Sequence, residues 1–225
     1  MSIFWDFIPA IIAFIITAAF VYFVSIHYKR LLHAPLYTVL RVKCTLDIFD
    51  KEGKEPKLIK LIKLRANHKG LTEYVHRNLS ADGELGDIQV EINGVKSSFT
   101  PEKDAGDTLV HVRFPGPLSR GEKVETSLAV ALKNSFCAET EWITYLLTHP
   151  TNELIIEICL PEGRPCTATK ASCLRGGEIE NVHPPKMLDN GRRIVWTSKN
   201  LNELGLEYRV GWTWPPVPTT PRQGA

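Results

Sequence analysis

The start of the chain carries the longest apolar run in the sequence. Residues 7–26 read FIPAIIAFIITAAFVYFVSI, with no charged position. A helix that rises about 1.5 Å per residue crosses a hydrocarbon core of about 30 Å with that length. Trp5 precedes the run and Tyr28 follows it, as interfacial aromatic residues do. The pattern predicts one transmembrane helix over residues 7–26.

After residue 36 the pattern changes to an alternation of apolar and polar positions, which is typical of half-buried strands. The clearest hairpin covers residues 88–99, where Asn93-Gly94 suits a type I′ turn. Other alternating segments lie at 40–48, 108–114, 124–132, 141–147, 154–158, 166–174, 193–197 and 208–214. About eight to ten short strands separated by turns predict an antiparallel β-sandwich, with a β-barrel as the alternative.

Residues 57–65, KLIKLIKLR, are ambiguous because lysine recurs at every third position. A helix would place Lys57, Lys60 and Lys63 on one face, as in a basic amphipathic helix lying on a membrane surface. Turn residues on both sides favour a strand instead. We adopt the strand as the prediction and keep the surface helix as the alternative.

The charges beside the apolar run set the predicted orientation. Lys29 and Arg30 follow the run, and neither lysine nor arginine precedes it. The positive-inside rule therefore predicts a single-pass protein of the inner (plasma) membrane whose C-terminal part is cytoplasmic. The predicted organisation is an extracytoplasmic N-terminus (1–6), the transmembrane helix (7–26), a basic juxtamembrane linker (27–36), a cytosolic all-β domain (37–214) and a disordered Pro-rich tail (215–225).

Composition and motifs exclude several classes of function. The 27 basic and 25 acidic residues nearly cancel, which argues against binding to a nucleic acid duplex. The five cysteines show no C-x-x-C spacing, so we expect small core thiols in a reducing compartment and no metal site. The sequence has no phosphate-binding glycine loop, no G-x-S-x-G and no H-E-x-x-H. We therefore predict no enzyme and no cofactor.

Two features are candidates for ligand binding. The first is the long connection at residues 175–193, whose basic side chains and glycine-rich turns suit phosphate or carboxylate. The second is a pair of tryptophans on one face of the last predicted strand, which form either core packing or an aromatic platform for a planar ligand. The candidate ligand-binding residues are Arg175, Lys186, Arg192, Arg193, Trp212 and Trp214. A solvated surface loop is the alternative for the first feature.

Small residues on the apolar run suggest self-association. Ala13 and Thr17 lie four positions apart, a spacing that lets transmembrane helices approach closely. The sequence therefore predicts a homo-oligomer.

The layout of one helix at 7–26 followed by a strand-rich remainder resembles that of small bacterial membrane effectors of anti-phage signalling. The resemblance covers architecture only. It implies a non-enzymatic binding module held at the lipid bilayer, in which recognition of a nucleotide messenger or a protein partner drives clustering and perturbs the membrane. The alternative is a constitutive membrane tether or assembly factor that binds another protein through its β domain.

Overall fold

The computed structural model describes residues 35–79, 83–104 and 107–216. The predicted transmembrane helix at 7–26, with Ala13 and Thr17, lies outside these residues, and so does most of the predicted tail. Contacts divide the chain into two units, Met1–Leu36 and Tyr37–Ala225. The second unit alone is described below.

The single-pass membrane architecture requires a correction. Within the described ranges, no helix is long and apolar enough to cross a membrane. The regular structure there consists of strands and one short 3₁₀ turn at Asp189–Gly191. The prediction of a single-pass inner-membrane protein is therefore wrong for the described chain, because its apolar positions alternate with polar ones and so form two-faced strands.

The described residues form three sheets. In chain order the strands are β1 (Tyr37–Ile48), β2 (Pro56–Ala66), β3 (Leu71–Leu79), β4 (Glu84–Ile92), β5 (Val95–Lys96), β6 (Phe99–Asp104), β7 (Asp107–Leu118), β8 (Lys123–Lys133), β9 (Thr140–Leu146), β10 (Thr151–Cys159), β11 (Ala168–Arg175), β12 (Glu178–Asn181), β13 (Lys186–Leu188), β14 (Arg193–Leu201) and β15 (Glu207–Thr213). The large sheet has the order β13-β14-β10-β1-β2-β8-β4-β5. The four-stranded sheet has the order β12-β11-β15-β9, and the three-stranded sheet β3-β7-β6. The all-β class is confirmed.

Local sequence explains the strands that were predicted best. In β1, Val42, Cys44 and Leu46 are buried while the residues between them are half-buried. The hairpin of β4 and β5 is confirmed, since Asn93 (φ 49°) and Gly94 (φ 78°) both adopt the left-handed conformation that a type I′ turn requires.

The antiparallel prediction is wrong for one central pair. Strand β1 pairs with β10 in parallel, with Val42 opposite Leu154 and Cys44 opposite Ile156. The large sheet is therefore mixed. Parallel neighbours need a crossover connection, here about 100 residues long, and no local pattern shows which distant strand will fill that place.

The structure decides two segments whose interpretation was open, 57–65 and 175–193. The first segment is the strand β2, as predicted, so the surface-helix alternative is wrong. The second segment is not one long loop, because it contains β12, β13 and the turn at Asp189–Gly191. Both short strands add to sheet edges and are fully exposed.

The inner face of the large sheet packs against both smaller sheets. His76 on β3 lies 3.2 Å from the Thr126 hydroxyl on β8, and the rings of Trp196 on β14 and Tyr208 on β15 lie 5.5 Å apart. Cys44, Cys166 and Cys173 are buried thiols, as predicted, whereas Cys137 is exposed. The outer face of the four-stranded sheet carries a groove, which is the main candidate site.

Candidate functional site

The four basic residues expected to form one site are divided between two sheets. Arg175 ends β11 in the four-stranded sheet, where its guanidinium pairs with Glu180 and Glu203. Lys186 begins β13 at the edge of the large sheet and is exposed. Arg192 and Arg193 follow the 3₁₀ turn at the start of β14, and both are exposed.

Arg193 is already neutralised by a carboxylate. Its Nε lies 2.5 Å from Glu157 Oε1, and Lys43 Nζ lies 2.7 Å from Glu157 Oε2. Burial would raise the pKa of the Glu157 carboxyl, but the hydrogen bonds and charges of Lys43 and Arg193 outweigh burial and hold it below its usual value. Arg193 and Arg175 therefore serve internal ion pairs in this structure.

The two tryptophans at the end of β15 lie in the core. Trp212 and Trp214 are each 1% exposed, and their rings meet edge to face at 6.1 Å. Trp214 donates its indole N–H to the Ala138 carbonyl, and the guanidinium of Arg164 stacks 3.7 Å from its ring centroid. Their surroundings are those of packed interior residues, although Trp212 also contributes to the lining of a groove on the same sheet.

A shallow groove of about 280 Å³ lies across the four-stranded sheet. Gly211 on β15 and Lys170 of β11 belong to its lining. Trp142 of β9 is not part of that lining, but it is the cross-strand neighbour of Gly211 and borders the groove. Trp142 is 46% exposed and is the one exposed tryptophan of the described chain. The next row of the sheet supplies the hydroxyl groups of Thr140 and Thr213.

Positive charge surrounds this groove. The Arg209 guanidinium lies 5.2 Å from the centroid of the Trp142 ring and pairs with Glu207 at 3.2 Å. Its Nε–H is buried and has no hydrogen-bond partner in the described structure. Lys170 is exposed and forms no ion pair within the described ranges. Lys170 therefore lines the groove as a cation without an ion-pair partner in the described chain, and the Trp142 ring and Arg209 lie beside it.

Sequence reasoning missed Trp142 because Glu141 obscured the alternation of β9. Glu141, Ile143 and Tyr145 are buried on the inner face, so Trp142 points outward. The buried Glu141 accepts a hydrogen bond from the Ala138 backbone N–H, which allows a carboxylate to occupy a core position. Recognising Glu141 as an inward-facing residue would have assigned Trp142 to the outer face.

A second group of polar side chains lies inside the fold. Ring contacts run in sequence from His149 to Tyr37 (4.6 Å), to Tyr74 (5.6 Å) and to His76 (5.0 Å). A continuous series of ring contacts thus connects His149 with His76, which are far apart in the sequence. Burial raises the pKa of Tyr37 to about 12. Burial, with a smaller contribution from the Lys60 charge, lowers the pKa of His76 to about 3.

The neutral state of His76 predicts acid sensitivity. The pKa of about 3 in the folded chain lies below the unfolded value of about 6.5, so protonation favours unfolding as the pH falls below 6.5. Between pH 7 and pH 5 we expect this residue to account for a loss of about 2 kcal/mol in the free energy of unfolding. Urea denaturation of wild type and His76→Gln at both pH values measures it. An equal pH dependence in both proteins would contradict the prediction.

Within the described ranges, no three His, Cys, Asp or Glu side chains are grouped so that they could hold a metal ion. No protein-family model matches the sequence, and no curated protein matches it.

Several solved structures resemble the fold at low identity. The M1 zinc metallopeptidase from Deinococcus radiodurans is 13% identical with a TM-score of 0.44, over 78% of this chain and 42% of that one. A putative protease from Parabacteroides distasonis is 15% identical with a TM-score of 0.47, over 80% and 41%. A putative nutrient binding protein from Legionella pneumophila is 10% identical with a TM-score of 0.47, over 80% and 68%. The chain spans less than half the length of these two peptidase structures, and similarity at this level transfers no activity to it.

Proposed function

We propose that the described β domain is a non-enzymatic binding module that takes a planar, anionic ligand of the nucleotide class in the groove at Trp142. The observation that carries the proposal is the exposed Trp142 ring beside a glycine floor, with Lys170 and Arg209 close by. Nucleobases stack on such rings whatever their identity, and each stack contributes about 1–3 kcal/mol.

The glycine floor supports a flat ligand. A Cβ at Gly211 would lie 3.3 Å from the Glu141 carbonyl oxygen and 3.8 Å from both the Trp142 Cβ and the Lys170 Cγ. A side chain at this position would therefore occupy the space between the ring and the lysine. With glycine there, the space beside Trp142 stays open for a base that stacks on its ring.

The cations support an anionic ligand. Arg209 holds an unused Nε–H beside the Trp142 ring, and Lys170 has no ion-pair partner within the described ranges. A phosphate in the groove would accept a charge-assisted hydrogen bond from Lys170, which contributes about 1.5–3 kcal/mol, and Arg209 would add its positive charge nearby. Glu207 limits the positive charge at the Arg209 end, which favours a ligand with few phosphates.

The test is a titration of the full-length protein with mononucleotides and cyclic dinucleotides, followed by tryptophan fluorescence and calorimetry. We expect Trp142→Ala to weaken binding by about 10–100-fold, which corresponds to the loss of one stacked base. Lys170→Met should weaken nucleotide binding but not that of the uncharged nucleoside, because it removes only the phosphate contact.

Phe49→Ala provides the matched control, since Phe49 is also a large, exposed aromatic residue (66%) but follows β1 of the large sheet and does not border the groove. This variant should bind as wild type does. If no nucleotide alters the Trp142 fluorescence, or if Trp142→Ala and Phe49→Ala bind equally well, the groove is not a nucleotide site and the proposal fails.

A further inference from the structure

A small cavity beside β2 and β3 is independent of the groove. Its described lining includes Lys60, Tyr74, His76, Arg77 and Tyr145, and no carboxylate. Its volume is about 10 Å³, close to one water-sized sphere, so any occupant is a single small species. Two basic residues and no carboxylate in the lining favour an anion over a cation.

Lys60 occupies a core position in a strand whose neighbouring positions are apolar. Lys60 is 4% exposed and faces inward, whereas Ile59 and Leu61 on either side of it face outward and are only half-buried. A shift of one residue in register would bury both apolar side chains and expose the lysine. The pairing of β2 with β1 and β8 instead keeps the lysine inside.

The ammonium group has polar and aromatic neighbours. Lys60 Nζ donates to the Arg77 carbonyl oxygen at 2.9 Å and lies 5.9 Å from the centroid of the Tyr145 ring. Burial lowers its pKa, while the nearby Cys44 and Asp107 raise it. Asp107 is not among the described residues that line the cavity. An anion inside the cavity would stabilise the charged lysine at close range.

His76 supplies an unused hydrogen-bonding atom. It is 1% exposed, and its Nε2 meets the Thr126 hydroxyl at 3.2 Å. Its Nδ1 is buried and has no hydrogen-bond partner in the described structure. When the Thr126 hydroxyl donates to Nε2, the neutral ring carries its proton on Nδ1 and can donate it to an acceptor in the cavity.

We propose that this cavity binds one small monovalent inorganic anion of the size of chloride, held by Lys60, His76 and Arg77. The anion accepts from the Lys60 ammonium and from His76 Nδ1–H, and the Arg77 side chain, which is exposed, adds its positive charge. The cavity is too small for a phosphate ester or a carboxylate ligand of ordinary size. A bound anion would join β2 and β3, which belong to two different sheets, and so stabilise their packing.

The test measures the melting temperature of the full-length protein while sodium chloride replaces sodium gluconate at constant ionic strength. We expect a saturable rise in Tm, about 5–10 °C when chloride exceeds its dissociation constant about 100-fold. Lys60→Met should abolish this rise. Lys63→Met, the same change at an exposed position of the same strand, should retain it in full.

Two further measurements keep the test decisive if Lys60→Met fails to fold. Arg77→Gln changes an exposed side chain and should weaken the apparent chloride affinity several-fold. A crystal grown in sodium bromide should show an anomalous peak in the cavity. The proposal is overturned if wild type shows no chloride-specific rise, if Arg77→Gln matches wild type, or if the cavity holds only water in bromide.

Discussion

Replacing Gly53 with alanine is expected to lower the free energy of unfolding by more than about 3 kcal/mol. Gly53 has φ +73°, and a Cβ there would lie 1.7 Å from the Phe136 carbonyl oxygen. The two segments cannot separate freely, because Phe136 N–H donates to the Gly53 carbonyl and Asn134 N–H donates to the Lys54 carbonyl. The added methyl must therefore break backbone hydrogen bonds as well as strain the backbone.

Gly94→Ala is the matched control for this substitution. Gly94 also has a positive φ, +78°, but a Cβ there meets nothing within 4 Å. Alanine at this position therefore incurs only the cost of the left-handed conformation, about 1–2 kcal/mol. Chemical denaturation of wild type and both variants measures the difference. Equal losses in the two variants would show that the approach of Gly53 to Phe136 is not a stabilising constraint.

Trp214→Ala is expected to cost about 3–5 kcal/mol, the usual range for removing a buried tryptophan. The side chain is 1% exposed, packs edge to face on Trp212 and donates to the Ala138 carbonyl. Its loss also removes the surface on which the Arg164 guanidinium stacks. Arg164 bridges the Lys51 and Pro215 carbonyls, so three loops around the end of β15 are loosened together.

A comparison with Trp142→Ala separates the two roles of tryptophan in this fold. Trp142 is 46% exposed, so we expect its removal to change stability by less than about 1 kcal/mol while it weakens binding at the groove. Denaturation curves of both variants, read beside their ligand titrations, provide the measurement. A stable Trp214→Ala protein, or an unfolded Trp142→Ala protein, would reverse the assignment of core and surface.

Coupling between Trp214 and Arg164 gives a finer check on the same region. The variants Trp214→Phe, Arg164→Met and their combination form a double-mutant cycle around a contact of 3.7 Å. Cation–π contacts that are partly desolvated contribute up to about 2 kcal/mol, and we expect the coupling energy to fall in that range. Additive effects would show that the stacking itself contributes nothing beyond packing.

The proposed groove and the proposed anion cavity would affect the protein differently. The groove lies on the outer face of the four-stranded sheet, so substitutions there should change ligand binding and leave the melting temperature nearly unchanged. The cavity lies beside β2 and β3 among buried side chains, and its occupant should raise Tm. Neither proposal depends on the predicted helix at 7–26. Ligand-driven self-association stays a prediction that neither proposal tests.

Local sequence by itself determined the elements whose cause is local. Alternation in β1 follows from residues two apart on one strand, and the β4–β5 turn follows from two adjacent residues that tolerate positive φ. Even the doubtful segment 57–65 was assigned as a strand from its flanking turns. These features need no knowledge of what lies across the sheet.

Only the tertiary structure decided which face is buried in strands that bury a polar residue, and which distant strand lies beside each one. The inward position of Lys60, the outward position of Trp142 and the parallel pairing of β1 with β10 all depend on partners far along the chain. A buried polar residue such as Lys60 or Glu141 is tolerated because hydrogen bonds from other segments satisfy it. The pattern of hydrophobic residues predicts burial from residue type alone. Where a buried polar residue is satisfied by hydrogen bonds from a distant segment, that prediction places the residue on the exposed face.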